Sequence, residues 1–259
     1  MFSPKSRSVI NIIACISLIA VAVPTAAMIV LLAMFDGLSA SVTKLNAAVD
    51  ADIEVVAARG QTFEYGAEQV QEIASLEGVS AVAPYIEQSV MASSAGRRTT
   101  IVLRGVDSSY YDVVALEEYL QAGRLESIYS GDIVLGVGLC SELAAFGIGT
   151  EIELYALNRR QVSTLLPMSG ISRMTTHLGG AVSANNDISS SLALGELERV
   201  QRLLNYTGRV SALAIRASED ADIEALESRL EALLGDEFDV VTRDEKNASI
   251  NAILRMERF

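Results

Sequence analysis

Residues 9–35 read VINIIACISLIAVAVPTAAMIVLLAMF, and no charged residue occurs between Arg7 and Asp36. A helix over this run, at about 1.5 Å rise per residue, is roughly 40 Å long, which exceeds the about 30 Å hydrocarbon core of a bilayer. The run from Val9 to Phe35 therefore reads as a transmembrane helix with room to tilt. Lys5 and Arg7 precede it, while Asp36 follows it and Lys44 is the only basic residue before Arg59. The positive-inside bias places residues 1–8 in the cytoplasm and the rest of the chain on the far side of the membrane. Ala20-Val21-Ala22 has the small-x-small form of a signal-peptidase site, and Ile12-Ile13-Ala14-Cys15 has lipobox chemistry. Cleavage at either place would leave a strongly apolar new N-terminus running through Phe35, so the run is read as an anchor.

Formal charge is −13 over 259 residues; Lys5 and Arg7 contribute +2, so the part from Asp36 onward carries −15. Such a surface repels nucleic acid and anionic headgroups. Of the two cysteines, Cys15 lies within the span and Cys140 outside it, so the external part is expected to fold on its apolar core without a disulfide.

Past Phe35, Leu38, Val42, Leu45 and Val49 keep helical spacing among polar residues, which reads either as a stalk over residues 36–50 or as a short connector helix. A β-branched strand over 52–58 follows, then a helix over about 66–76, a strand from Val79 toward Met91, a turn at Ser93-Ser94-Ala95-Gly96 and a strand over 99–106. The same order returns near the C-terminus: a strand over 209–216, a helix N-capped by Ser218 with Ile223, Leu226, Leu230, Leu233 and Leu234 on its apolar face, a stop at Gly235, and a strand over 238–242. Two βαβ-type units bracketing a middle segment predict an α+β fold in which residues 51–106 and 209–243 form one split subdomain, with 107–208 inserted. Within the insertion the pattern predicts strands at 133–136 and 151–157, helices over 139–146 and 194–204, and a long exposed hairpin or loop over 159–191. Residues 244–259 read as an amphipathic helix with an N-cap near Asp244, leading toward a further span that this sequence does not include.

Catalytic chemistry is sparse. His177 is the single histidine, so a His-based metal cluster or triad has no partners, and it is read as a loop residue. Gly136-Val137-Gly138 lacks the third glycine of a phosphate-binding turn and reads as a tight β-to-α turn. Asp50 with Asp52, and Glu219-Asp220 with Asp222, lack the ligand spacing of a calcium loop. The chain is expected to be no enzyme and to hold no metal or cofactor of its own.

The order of LLAMFDGLSASV (31–42), DADIEVVA (50–57), LEGVSAVAPYIEQ (76–88), IVLRGVDSSYYDVVALEEYLQAGR (101–124), DIVLGVGLCSELAAFGIGTEIELYA (132–156), LLPMSGISRM (165–174) and DEFDVVTRDEKNASINAILRMERF (236–259) resembles the permease subunits of Lol-type lipoprotein-releasing ABC transporters, within the wider MacB-like and FtsX-like group. The resemblance implies an inner-membrane subunit with a MacB-like periplasmic domain, built from a split porter-like subdomain and an inserted sabre-like one. It implies membrane lipid, a separate cytoplasmic ATPase that hydrolyses ATP, and a second permease subunit as partners, with a periplasmic lipoprotein carrier or cargo beyond them. It further implies a hook at Pro167 and Met168 and a polar pad at Arg173, although Ser169-Gly170 replaces a more basic stretch. The alternative at this segment is a solvated hairpin with no partner. Family members continue into further spans, so a sequence cut short at Phe259 is expected. An FtsX-like regulator of a cell-wall hydrolase, a MacB-like export permease, and a single-span sensor or scaffold remain as alternatives.

Overall fold

Apolar side chains with no core to enter leave a helix exposed on every side, and α1 (Ile16–Phe35) is such a helix, with none of its residues buried. It belongs to a computed structural model that describes residues 13, 16–35, 50–157, 170–183 and 186–246. At about 1.5 Å per residue its length, roughly 30 Å, matches a hydrocarbon core. Pro24 has no N–H to give to the preceding turn, and beside it the Thr25 hydroxyl donates to the Val21 carbonyl at 2.8 Å. Contacts divide the chain into two units, Met1–Asn46 and Ala47–Phe259.

The second unit contains β1 (Ile53–Ala57), β2 (Phe63–Glu64), α2 (Ala67–Ala74), β3 (Val79–Ser94), β4 (Arg97–Val106), α3 (Tyr110–Val113), β5 (Leu120–Gly123), β6 (Ile133–Gly136), α4 (Val137–Glu142) and β7 (Glu151–Leu157). After these come β8 (Ile171–Val182), α5 (Asn186–Ser191), β9 (Leu192–Glu196), α6 (Leu197–Leu204), β10 (Arg209–Val210), β11 (Ala212–Ala217), α7 (Ile223–Leu234) and β12 (Phe238–Thr242). The main sheet runs β12-β1-β11-β3-β4-β9-β6-β8-β5, and β7 pairs both β3 and β8. The first four strands have the split βαβ order, with both chain ends contributing. Because β7 bridges β3 and β8, six strands (β3, β4, β9, β6, β8, β7) pair in a closed circuit. Strand β3 belongs to both parts. At its end, Ala95 and Gly96 take positive φ (48° and 79°), the backbone a two-residue hairpin needs, and β4 returns in register with Ser94 opposite Arg97.

Several expected elements take a different form. Of the exposed hairpin or loop expected over 159–191, residues 171–182 are the second strand of a hairpin with β7, and they are not exposed throughout: Thr176, Leu178 and Val182 are buried, and small Gly179 and Gly180 admit close neighbours in place of a long apolar run. His177 therefore lies on a strand, exposed, with Asp132 3.9 Å away. The expected helix over 194–204 divides into β9 and α6, because Leu192–Glu196 pairs in parallel with Val102–Val106. The helix after β6 ends at Glu142, leaving Phe146 79% exposed. Asp222, not Ser218, caps α7, accepting from the Ala225 N–H at 3.2 Å, and Leu233 sits at its exposed margin. After β12 the helical cap is Thr242, not Asp244: Thr242 and Glu245 exchange N–H bonds with each other's side chains at 3.2 and 3.4 Å, a capping box. The continuation over 247–259 and the stalk over 36–49 lie outside the described residues.

Two devices hold the frame. Gly105 of β4 stands opposite Gly195 of β9, and Val200 of α6 drops into the trough they leave; a Cβ on Gly105 would lie 2.6 Å from the Val200 Cβ. At the chain ends, Asp52 pairs with Arg216 at 3.3 Å and with Arg243, and accepts the Ala217 N–H at 2.9 Å, while Lys246 reaches Glu54 at 2.8 Å. The Asp52 cluster is mostly buried, so the charges support one another away from bulk water.

Gly105→Ala is expected to destabilise the fold by about 1–3 kcal/mol through overpacking. Adding Val200→Ala should recover part of that loss, a coupling that a double-mutant cycle in urea reads directly. Asp52→Asn leaves two guanidinium groups facing each other without their carboxylate and should cost about 3 kcal/mol. Hydrogen exchange should then rise first at β1 and β12.

Candidate partner-binding site

Alternation along EIELYAL buries Ile152, Leu154 and Ala156 and turns Glu153, Tyr155 and Leu157 outward. β8 does the same, turning Ile171, Arg173 and Thr175 outward. The two strands pair antiparallel, with Leu157 opposite Ile171, Tyr155 opposite Arg173 and Glu153 opposite Thr175. Residues 158–170 thus connect two paired strands, and Pro167 and Met168 lie within that connection, outside the described residues. Arg173 is described, at the base of the hairpin and 58% exposed in its side chain.

Arg173 pairs with Glu153, and its guanidinium lies 5.9 Å from the Tyr155 ring centre. Tyr155 donates its hydroxyl to Glu153 Oε2 at 2.7 Å. That hydrogen bond, with the Arg173 charge adding to it, holds the Glu153 carboxyl below the usual range for glutamate. The Tyr155 hydroxyl is pushed up in turn, first by the same bond. Glu153 and the Tyr155 ring together orient the Arg173 guanidinium on an open face.

Beside this pair lies an apolar cleft of about 310 Å³ lined by Val90, Met91, Tyr155, Ala156, Leu157 and Ile171. Met91, Leu157 and Ile171 are 41%, 53% and 47% exposed, side chains that the closed circuit of strands leaves outside the core. Sequence reasoning named Arg173 but missed Glu153, Tyr155 and Met91. The alternation of EIELYAL carries the signal for the first two, whereas Met91 joins them only through β3–β7 pairing, which sets it opposite Tyr155.

A second cavity, about 570 Å³, opens where β3 passes from β11 to β7. β11 pairing ends at Tyr85 and β7 pairing begins at Met91. In the gap, Ser211 Oγ accepts the Glu87 N–H at 3.0 Å and donates to the Glu87 carbonyl at 3.3 Å, standing in for a strand neighbour. Cys140 is buried and its thiol is pushed up by that burial. Among the described residues no group of three or more His, Cys, Asp or Glu side chains could hold a metal ion. Gly138, part of the apparent phosphate turn, serves packing: a Cβ there would lie 2.6 Å from the Ser189 carbonyl oxygen.

With this geometry in place, likeness to known proteins takes on meaning. The lipoprotein-releasing system transmembrane protein LolC of Neisseria meningitidis serogroup B is 23% identical over 233 residues, covering 87% of this chain and 54% of that protein. The chain thus spans about half the length of this relative. The periplasmic region of MacB from Actinobacillus actinomycetemcomitans superposes with a TM-score of 0.53 at 15% identity, over 80% of this chain and 94% of that one. The extracellular domain of the noncanonic ABC-type transporter YknZ from Gram-positive bacteria gives 0.51 at 16% identity, over 73% and 99%. At such identities these structures share the fold alone. The family described as the MacB-like periplasmic core domain matches residues 14–233, the apolar helix and nearly all of the sheet together. The chain belongs to the MacB-like periplasmic core domain family.

Proposed function

We propose that this chain is part of the permease subunit of an ABC transporter of the lipoprotein-releasing type. The observation that carries the reading is that one family match begins at residue 14 and so takes in both an exposed helix of membrane length and most of the α+β domain. The LolC likeness supports lipoprotein release over export or regulation. In this reading α1 crosses the inner membrane with Lys5 and Arg7 on the cytoplasmic side. A separate cytoplasmic ATPase supplies the energy, a second permease subunit completes the membrane part, and the domain from Asp50 onward works in the periplasm. The chain binds and transmits and performs no chemistry.

Residues 51–106 and 209–243 serve as the porter-like part and 107–208 as the sabre-like part, with residues 36–50 and 244–259 leading to and from the membrane. Motion of α1 enters at β1, where Asp52 ties the strand to Arg216 and Arg243, next to the exit from β12. The pull is thus shared across both ends of the split sheet. The hairpin carries the contact with a lipoprotein carrier: Pro167 and Met168 at its tip, Arg173 and the Met91–Ile171 cleft at its base.

Affinity purification of the membrane-embedded protein is expected to recover an ATPase with a Walker motif, and recovery without one would remove the transporter reading. A photo-crosslinker at Met168 should give an adduct with a periplasmic lipoprotein carrier, whereas one at exposed Glu231 of α7 should not. Arg173→Glu should lower the Met168 adduct roughly tenfold, the loss of about 1.4 kcal/mol expected when a rim charge is reversed. A carrier adduct equal at both positions would separate the hairpin from carrier binding.

A further inference from the structure

Strand β8 is paired unevenly. β7 runs beside it from Ile171 to His177, but its contact with β6 begins only at Leu178. Over residues 171–175 one edge of β8 therefore has no strand neighbour among the described residues. An open edge presents backbone N–H and C=O groups in the pattern that a further strand needs.

Helix α6 lies along this edge. Ser172, Arg173 and Met174 of β8 and Arg199, Arg202 and Leu203 of α6 line a cleft of about 300 Å³. Three arginines thus contribute to its lining on a domain whose formal charge is −15, and the Arg173 guanidinium among them is already taken by Glu153. Arg199 packs on Gly131 and has no carboxylate partner among the described residues. Among the described residues Arg202 has only the exposed Glu198 at 3.6 Å, and exposed pairs of this kind are weak, so a better ligand displaces them readily. From Leu154 to Asn186 the sequence contains no Asp or Glu, although the chain carries 33 of them.

We infer that the cleft between α6 and the open edge of β8 binds an extended, acidic segment of a partner protein, which adds to β8 as a strand and gives its carboxylates to Arg199 and Arg202. The spacing agrees. Alternate side chains on a strand stand about 7 Å apart. Residues three apart on a helix have Cβ atoms about 5–6 Å apart, and long arginine side chains take up the difference. Arg199 and Arg202 have that separation, and α6 is held in place by Val200 in the Gly105–Gly195 trough. This site is distinct from the hairpin tip and stands whether or not the partner is a lipoprotein carrier.

The test uses the full chain in lipid nanodiscs and a fluorescein-labelled peptide of four Glu-Thr repeats, followed by fluorescence anisotropy. The peptide should bind, more weakly as salt rises, and the double variant Arg199→Ala, Arg202→Ala should weaken it at least tenfold with an unchanged melting curve. The same peptide N-methylated at alternate residues cannot pair along a strand edge and should also lose at least tenfold. Equal binding of a Lys-Thr peptide, an unaffected double variant, or no binding at all would overturn the inference. So would full binding of the N-methylated peptide together with displacement by inorganic phosphate, which would mark an anion site without strand addition. Because the double variant leaves Met168 and the ATPase contact untouched, its outcome is independent of the crosslinking and co-purification results.

Discussion

A half-buried ion pair, with the arginine side chain 10% and the glutamate side chain 31% exposed, stands where the two parts of this domain join. Glu87, midway along β3, receives the Arg104 Nε–H at 2.6 Å, and Arg104 gives a second N–H to the Tyr110 hydroxyl at 2.6 Å while lying 4.6 Å over the Tyr85 ring. Burial pushes both tyrosine hydroxyls up, so they remain neutral donors and acceptors. Glu87 occupies the stretch where β3 has lost β11 and not yet gained β7, with Ser211 satisfying its backbone. A strand unsupported on one edge would bend or slip at this point. The ion pair ties it to β4 and keeps one strand continuous through both the split sheet and the closed circuit of strands.

Through that continuity the strands of the split sheet connect to the closed circuit by one unbroken element. Chain enters at β1 and leaves after β12, neighbouring strands tied by the Asp52 and Glu54 pairs. From there pairing leads through β11 and β3 into the six-strand circuit. The hairpin base and the α6 edge both lie on that circuit, far along the chain from residue 50. Basic residues are scarce in this acidic domain, and their uses divide sharply. Arg104, Arg216, Arg243 and Lys246 are half or fully withdrawn from water and hold structure. Arg173 and Arg202 are presented outward, and Arg199 lies half-buried against Gly131 at the rim of the same cleft; exposed charge steers encounter and fixes register more than it stabilises a fold.

Legibility in the sequence followed local periodicity. β1, α2, the β3–β4 hairpin, β11, α7 and β12 could be read because each has a clear apolar period and a Gly, Asp or Asn-like stop nearby. For β8 the burial escaped, because its buried positions are Thr176, Leu178, Gly179, Gly180 and Val182, a composition that reads as an exposed hairpin or loop until Ser127, Asp132 and Arg124 are seen packed against the glycines. The end of β9 was absorbed into a helix because Leu194 precedes Leu197 by three residues, a helical interval, and only parallel pairing with β4 separates the two elements. Of the site, Arg173 was legible through resemblance. Its partners Glu153 and Tyr155 needed the strand register, and Met91 needed a pairing across more than sixty residues.

By itself the sequence determined what short-range physics can determine: a helix with no charge for the length of a bilayer, an acidic domain behind it, and two βαβ units bracketing an insertion. Those conclusions depend on composition and on periods of two and 3.6, which survive without knowledge of the neighbours. Only the tertiary structure decided that β7 closes six strands into a circuit, that Asp52 clamps the two chain ends, and that β8 keeps an open edge beside Arg199 and Arg202. Each of these is a meeting of residues distant along the chain, set by register and packing, and no local pattern encodes which strand will stand next to which.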